Sequence, residues 1–126
     1  MPERGHTYLR THRLEGSVLA FAARTEAEGL LGSAAYRRSG RTAKTLVSDG
    51  RLGVEVVALR KGSSMARHRA KSSVTIHCLR GRLRVTTAEG PTDLGPAGLV
   101  VLAPGVDHTV MARSDAWFLL TLAIRR

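Results

Sequence analysis

The chain has one cysteine, Cys78, and so no internal disulfide. That residue lies in an apolar run and reads as a small buried hydrophobe in a reducing compartment, which points to the cytoplasm. Aromatic residues are as scarce: one Trp, two Tyr and two Phe. None falls within Arg60 to Arg84, where eight basic residues occur without an acidic one. Single-stranded nucleic acid is usually held by stacking on aromatic side chains, so this basic run without aromatics disfavours a nucleic-acid partner. Long apolar runs are also lacking. A membrane-spanning helix needs about 20 apolar residues, and the stretch Val18 to Ala23 is far shorter. Arg24, Glu26 and Glu28 follow it where a signal peptide would carry small residues. The chain contains no nucleophile motif, no phosphate-cradling glycine loop and no paired carboxylates. Hydrolysis through Ser or Cys and phosphoryl transfer are therefore disfavoured.

What is present fits one ordinary domain. The 126 residues are 43% hydrophobic and 24% charged, a composition typical of globular proteins with a single modest core. The 20 Lys and Arg against 10 Asp and Glu give a formal charge of +10, which raises the local concentration of anions. Arg80, Arg82 and Arg84 alternate with Gly81, Leu83 and Val85, the pattern of a strand with one solvated face.

Residues 1–44 form an N-terminal extension with one helix, and 45–126 the body of the domain. Thr25-Glu26-Ala27-Glu28 matches a capping box, which predicts a helix from there to about Arg38. Leu30, Leu31, Ala34 and Ala35 would form its apolar stripe and Gly40 its stop. The segment Ser17 to Ala23 is compatible with strand or helix. From Thr45 the pattern becomes short β-type runs between turn residues. Strands are expected at Thr45–Ser48, Leu52–Leu59, Met65–Arg69, Ser73–Leu79, Arg82–Thr87, Leu99–Ala103, His108–Ala112 and Trp117–Ala123, with Pro91 to Gly98 a loop. Strands at such spacing with no helices between them indicate an antiparallel sandwich or barrel.

Of the five histidines, His6 and His12 lie in a charged stretch and read as surface residues. His68 and His108 each lie in an expected strand beside a turn, an arrangement that lets two distant strands bring imidazoles together. At these residues the sequence resembles the cupins. The first cupin motif reads Gly, five residues, His-x-His, three or four residues, Glu, six residues, Gly. Here Gly62, His68 and Gly81 match it, while Ala70 stands for the second His and Val74 for the Glu. The second motif reads Gly, five residues, Pro-x-Gly, two residues, His, three residues, Asn. Its match begins at Ala97 and runs through Pro104, Gly105 and His108 to Ala112, with the proline displaced by one position and the Asn replaced.

The resemblance covers roughly residues 45 to 124. It implies an all-β fold, a double-stranded antiparallel β-barrel or jelly roll, preceded by the N-terminal helix. Metal-dependent cupins hold Fe, Mn, Zn, Ni or Cu with three His and one Glu. Because two of those four positions are Ala70 and Val74, the resemblance implies either one weakly held divalent metal or none. His68 and His108 are the expected metal ligands or acid/base pair. His77 is the candidate third ligand, although strand parity sets it on the other face from Val74, Ile76 and Cys78. The pocket is expected to be mostly apolar and lined by Val54, Val56, Met65, Ala70, Val74, Ile76, Cys78, Trp117 and Thr121. Leu59, Val101 and Leu119 also read as inward-facing, and Met111 as a residue shaping the walls.

Two functions follow as expectations. One is an enzyme of isomerase, cyclase, lyase or dioxygenase type acting on a small, mostly apolar metabolite. The other is a non-catalytic small-ligand-binding or sensing cupin. A homodimer is expected, with Val18 to Ala23 adding an edge strand to a neighbour.

Overall fold

The computed structural model describes residues 18–68 and 70–123, and the side chains of residues 66–68 lie outside that description. Two short helices come first, α1 (Ala23–Leu31) and α2 (Ala34–Ser39). Nine strands follow: β1 (Arg41–Ser48), β2 (Leu52–Leu59), β3 (Ser64–His68), β4 (Val74–Arg80), β5 (Leu83–Thr87), β6 (Gly90–Leu94), β7 (Leu99–Leu102), β8 (His108–Ala112) and β9 (Ala116–Ala123). They form a five-stranded sheet in the order β1-β2-β9-β4-β7 and a four-stranded sheet in the order β3-β8-β5-β6. Every strand pairing is antiparallel. Among the described residues no helix is long and apolar enough to cross a membrane.

The helical region differs from the sequence expectation in its details. The residue preceding α1 is Ala22, which offers no side-chain cap, so Thr25 lies inside the first turn and no capping box forms. Glu26 instead turns under the helix and is fully buried, its Oε1 accepting from Lys44 Nζ at 3.0 Å. The expected single helix breaks at Gly32-Ser33. Ser33 caps α2, its Oγ accepting from the Tyr36 amide at 3.1 Å. Gly40 does end the helix, with φ 76° and its N–H donating to the Tyr36 carbonyl at 2.7 Å. Residues 18–22 hold no regular structure, and Ala23 already belongs to α1.

β6 falls where a loop was expected. It is the outer strand of the four-stranded sheet, pairing only with β5. Pro91 is tolerated there because an edge strand does not need every N–H for its ladder.

The larger sheet buries both faces over part of its width. On the inner face Val57, Leu59, Ile76, Cys78, Phe118 and Leu120 meet Leu83, Val85 and Val110 of the smaller sheet, forming the barrel core. On the outer face Val56, Ala58 and Trp117 join Ala27, Leu30 and Tyr36 of the helices and Leu46 and Val47 of β1. β2 thus carries two cores at once.

Candidate functional site

The turns flanking the smaller sheet place His68 and His108. Gly62 and Gly81 both take positive φ, 87° and 81°. A Cβ at Gly81 would run into the Asp115 carbonyl and Ala116, so only glycine lets β4 turn into β5 there. At the other end of the barrel the Gly105 amide donates to the Ala70 carbonyl at 2.8 Å. This bond ties the turn before β8 to the chain leaving β3.

Between these turns β3 and β8 pair with Met65 opposite Val110 and His68 opposite His108. Three steps along β3 match two along β8, so β3 carries one extra residue. A bulge of this kind bends the strand and changes which residue meets its partner. In regular pairing Arg67 would stand opposite His108; the bulge sets position 68 there. The two histidines are therefore direct cross-strand partners at the backbone.

His108 is 5% exposed. It alternates with Val110 and Ala112, both in the barrel core, which sets it on the inner face. Its Nδ1 lies 3.1 Å from the Val106 carbonyl. A carbonyl can only accept, so in this contact Nδ1 carries a proton and donates it. Metal-binding and proton-transferring histidines are commonly oriented by such a contact.

A half-open hollow of about 360 Å³ adjoins the ring, lined by Thr86, Thr87, Ala88, Asp107, His108 and Thr109. Three threonines and a carboxylate contribute to its lining, whose exposed surface is nevertheless mostly apolar, as the sequence suggested. None of the threonines was singled out in the sequence. They lie at the ends of β5 and β8, where strand pairing rather than a motif decides what adjoins His108.

The expected pocket residues divide between the two faces. Val74, Ile76 and Cys78 lie in the barrel core, with Met65 and Ala70 packed against it. Burial pushes the Cys78 thiol pKa up, a backbone hydrogen bond with Arg80 opposing the shift only in part. Val54, Val56 and Trp117 are on the opposite face, in the core beneath the helices, and Leu119 packs there too. Thr121 pairs with Val54 and Thr75, and cross-strand partners share a face, so it also points away from the barrel. Val101 is 64% exposed on the outer strand β7. All six residues had been expected to face inward. Their strands lie under a helical layer or at a sheet margin, where hydrophobicity no longer tells inside from outside.

Trp117 instead borders a second hollow of about 330 Å³ together with Glu28, Leu31, Tyr36, Arg80, Asp115 and Ala116. The Arg80 guanidinium lies 5.2 Å from the Trp117 ring centroid. Burial and the nearby Asp115 carboxylate push the Tyr36 phenol pKa up, which Arg60 partly offsets.

His77 is half-buried and opposite Leu99 and Leu119. It is therefore on the outer face, and the structure separates it from the inward-facing His108. His6 and His12 lie outside the described residues. Among the described residues no three His, Cys, Asp or Glu side chains gather in a way that could hold a metal ion; the His68 side chain is outside them.

No family model matches the chain, and no curated protein matches it. Solved structures do. A cupin superfamily protein from Desulfitobacterium hafniense is 15% identical with a TM-score of 0.65, over 67% of this chain and 77% of its own. The fold is that of the cupins. An RmlC-like cupin from Shewanella frigidimarina is 18% identical with a TM-score of 0.64, over 70% of this chain and 79% of its own. A variant of oxalate decarboxylase from Bacillus subtilis is 23% identical with a TM-score of 0.63, over 68% of this chain and 26% of that longer one.

Proposed function

We propose that this cupin-fold protein acts on a small organic metabolite at its barrel rim, with His68 and His108 as the working pair. The observation that carries the reading is the register that sets the two histidines opposite each other beside a hollow. The threonine hydroxyls suit a ligand with an oxygen function, such as a carboxylate or carbonyl, while their methyl groups and Ala88 suit its carbon body. That such a fold can handle a small acid is shown by the oxalate decarboxylase among its structural neighbours.

In the metal-free form of the proposal, one imidazole removes a proton and the other returns it, as isomerisation, cyclisation or elimination requires. His108, whose ring is oriented by the contact of Nδ1 with the Val106 carbonyl, is the base in this form. In the metal-dependent form the same two residues are ligands to Fe, Zn, Mn or Ni, and the ion, when bound, supplies Lewis acidity or activates O₂. A second reading, a binding or sensing module without turnover, is favoured by Ala70 and Val74 at two positions where metal-dependent cupins carry ligands.

The test is a thermal-shift screen of small mono- and dicarboxylic acids, with and without divalent cations, on wild type, His68→Ala and His108→Ala. The expected result is stabilisation of wild type that both variants lose. A hit recovered chemically unchanged favours the binding module, and a hit retained by both variants overturns the site. We further propose a cytoplasmic homodimer, supported by the buried free thiol of Cys78 and by Val18 and Leu19, which are 78% and 36% exposed.

A further inference from the structure

Two buried aromatic side chains, one from the helices and one from the larger sheet, border the second hollow with their polar atoms unpartnered. Tyr36 of α2 is 9% exposed and Trp117 of β9 is 7% exposed. A buried tyrosine hydroxyl or indole N–H usually finds a hydrogen-bond partner. Among the described residues neither of these does. The Tyr36 ring lies 5.3 Å from the Arg60 guanidinium, and its backbone carbonyl accepts from Arg60 Nη2 at 2.9 Å, but its hydroxyl meets no donor or acceptor. Neither ring's polar atom is sealed inside the protein, so whatever fills the hollow supplies its partner.

Two opposite charges stand at the same opening without meeting each other. Arg80 ends β4, and Asp115 lies in the turn before β9. The register pairs Arg80 with Trp117, and the Asp115 carbonyl sits against Gly81, so the two charged residues are neighbours across the strand ends. Among the described residues they form no ion pair. The Arg80 guanidinium lies over the Trp117 ring, while Asp115 Oδ1 accepts from the Lys61 amide at 2.8 Å, which fixes the carboxylate and leaves Oδ2 for another donor. Glu28 of α1 adds a second carboxylate; its contact with Arg24 at 3.3 Å is exposed, and exposed pairs of this kind are weak. Burial and Asp115 keep the Tyr36 phenol protonated, so it can donate. Leu31 and Ala116 supply an apolar part of the wall. The hollow is separate from the one beside His108: that one opens where β8 begins, and this one lies past its end.

We propose that this hollow binds a small zwitterion, a free α-amino acid with an apolar side chain. Its volume of about 330 Å³ is that of a small-molecule site. The Arg80 guanidinium and the Trp117 N–H receive the carboxylate, Asp115 Oδ2 and Glu28 receive the ammonium, and Leu31 and Ala116 meet the side chain. Hydrogen bonds to ionised groups are the strong ones, and a zwitterion makes them with both signs at once. A plain anion would leave Asp115 unanswered, and a plain cation would face Arg80. The site gives the chain a binding function outside the barrel and independent of the histidine pair.

Trp117 is the chain's one tryptophan, so its fluorescence reports on this hollow. The experiment is titration with L-leucine and L-methionine, followed by that emission and by calorimetry. The controls are 3-methylbutylamine and 4-methylpentanoic acid, which each lack one of leucine's charges. At least one amino acid should change the emission saturably, and each control should bind about tenfold more weakly or worse, as the loss of a charged hydrogen bond implies. Asp115→Asn, which can still accept from the Lys61 amide, and Arg80→Gln should each weaken binding by a similar factor in calorimetry. Circular dichroism checks the fold of each variant, and the two controls test the charge requirement on wild type alone. No saturable response to either amino acid up to about 10 mM overturns the proposal, as do controls that bind as well as leucine. Binding that is lost in His108→Ala but kept in Arg80→Gln and Asp115→Asn would put the ligand at the barrel rim and overturn it too.

Discussion

At the scale of single residues, the backbone keeps a feature that the side chains have lost. Ala97 stands where the second cupin motif has its glycine, and it still adopts the left-handed conformation, with φ 70°. Its amide donates to the Cys78 carbonyl at 2.7 Å, which holds it there. A non-glycine residue in this region costs roughly 1–2 kcal/mol, so Ala97→Gly should stabilise the protein by about 1 kcal/mol in urea unfolding. An unchanged midpoint would show that the strain is absent. Cys78 gives a second check. Burial raises its thiol pKa, so native protein should react with an alkylating reagent far more slowly than unfolded protein at pH 8. The sign follows from the raised value: the protonated thiol is favoured by the fold, and stability from this source is lost as pH rises past the ordinary thiol range.

Residue by residue, the sequence told turns better than faces. Gly40, Gly62, Gly81 and Gly105 have the positive φ that turn chemistry requires, and these turns set the strand limits. Val54, Val56 and Trp117 were read as lining the barrel because they are large and apolar. They are equally at home beneath a helix, and alternation cannot mark the inner face of a strand that is buried on both sides.

At the scale of elements, the helices adhere to the larger sheet through a buried ion pair. Glu26 has no exposure, Lys44 has 16%, and Glu26 Oε2 has no partner. Removing one member of a buried pair typically costs about 3–5 kcal/mol, whereas replacing both with well-packed apolar residues can be neutral or stabilising. Lys44→Met should therefore be strongly destabilising, and Glu26→Leu combined with Lys44→Met should recover most of the loss in chemical denaturation. A double variant no better than the single one would show that the helices need the charge pair itself. β6 escaped the sequence reading because Gly90 and Pro91 resemble a loop, and pairing with β5 overrides that local preference. Its tether is the exposed Arg84–Asp93 contact at 2.8 Å, which holds the Asp93 carboxyl pKa below its usual value. That contribution is complete above the ordinary aspartate range and disappears as pH falls through the lowered value. Arg84→Gln should raise the Asp93 pKa in an NMR titration and leave the neutral-pH melting point nearly unchanged.

At the scale of the whole molecule, the antiparallel jelly-roll architecture was legible because short β-type runs between turns and two motif frames mark it, while which strand lies beside which was not. The site was less legible, since the residues that line the hollow beside His108 come from the ends of β5 and β8, and no linear pattern records that convergence. The barrel core centres on Phe118, which is fully buried. Phe118→Ala should cost about 3–5 kcal/mol, as large core truncations do, and would separate global stability from loss of the rim chemistry. Light scattering tests the dimer: a mass near 27 kDa is expected, about twice the 13.6 kDa chain, and a mass of one chain would refute it.

The strand that serves two cores also limits how the protein can be shortened. Cut back to a start at Thr45, the chain would keep every strand but the first half of β1 while stripping the roof from Val56, Ala58 and Trp117. An oily plate of that kind, laid bare beside intact hydrogen-bonded edges, invites clumping. The opening segment is thus part of the smallest unit that can remain dissolved.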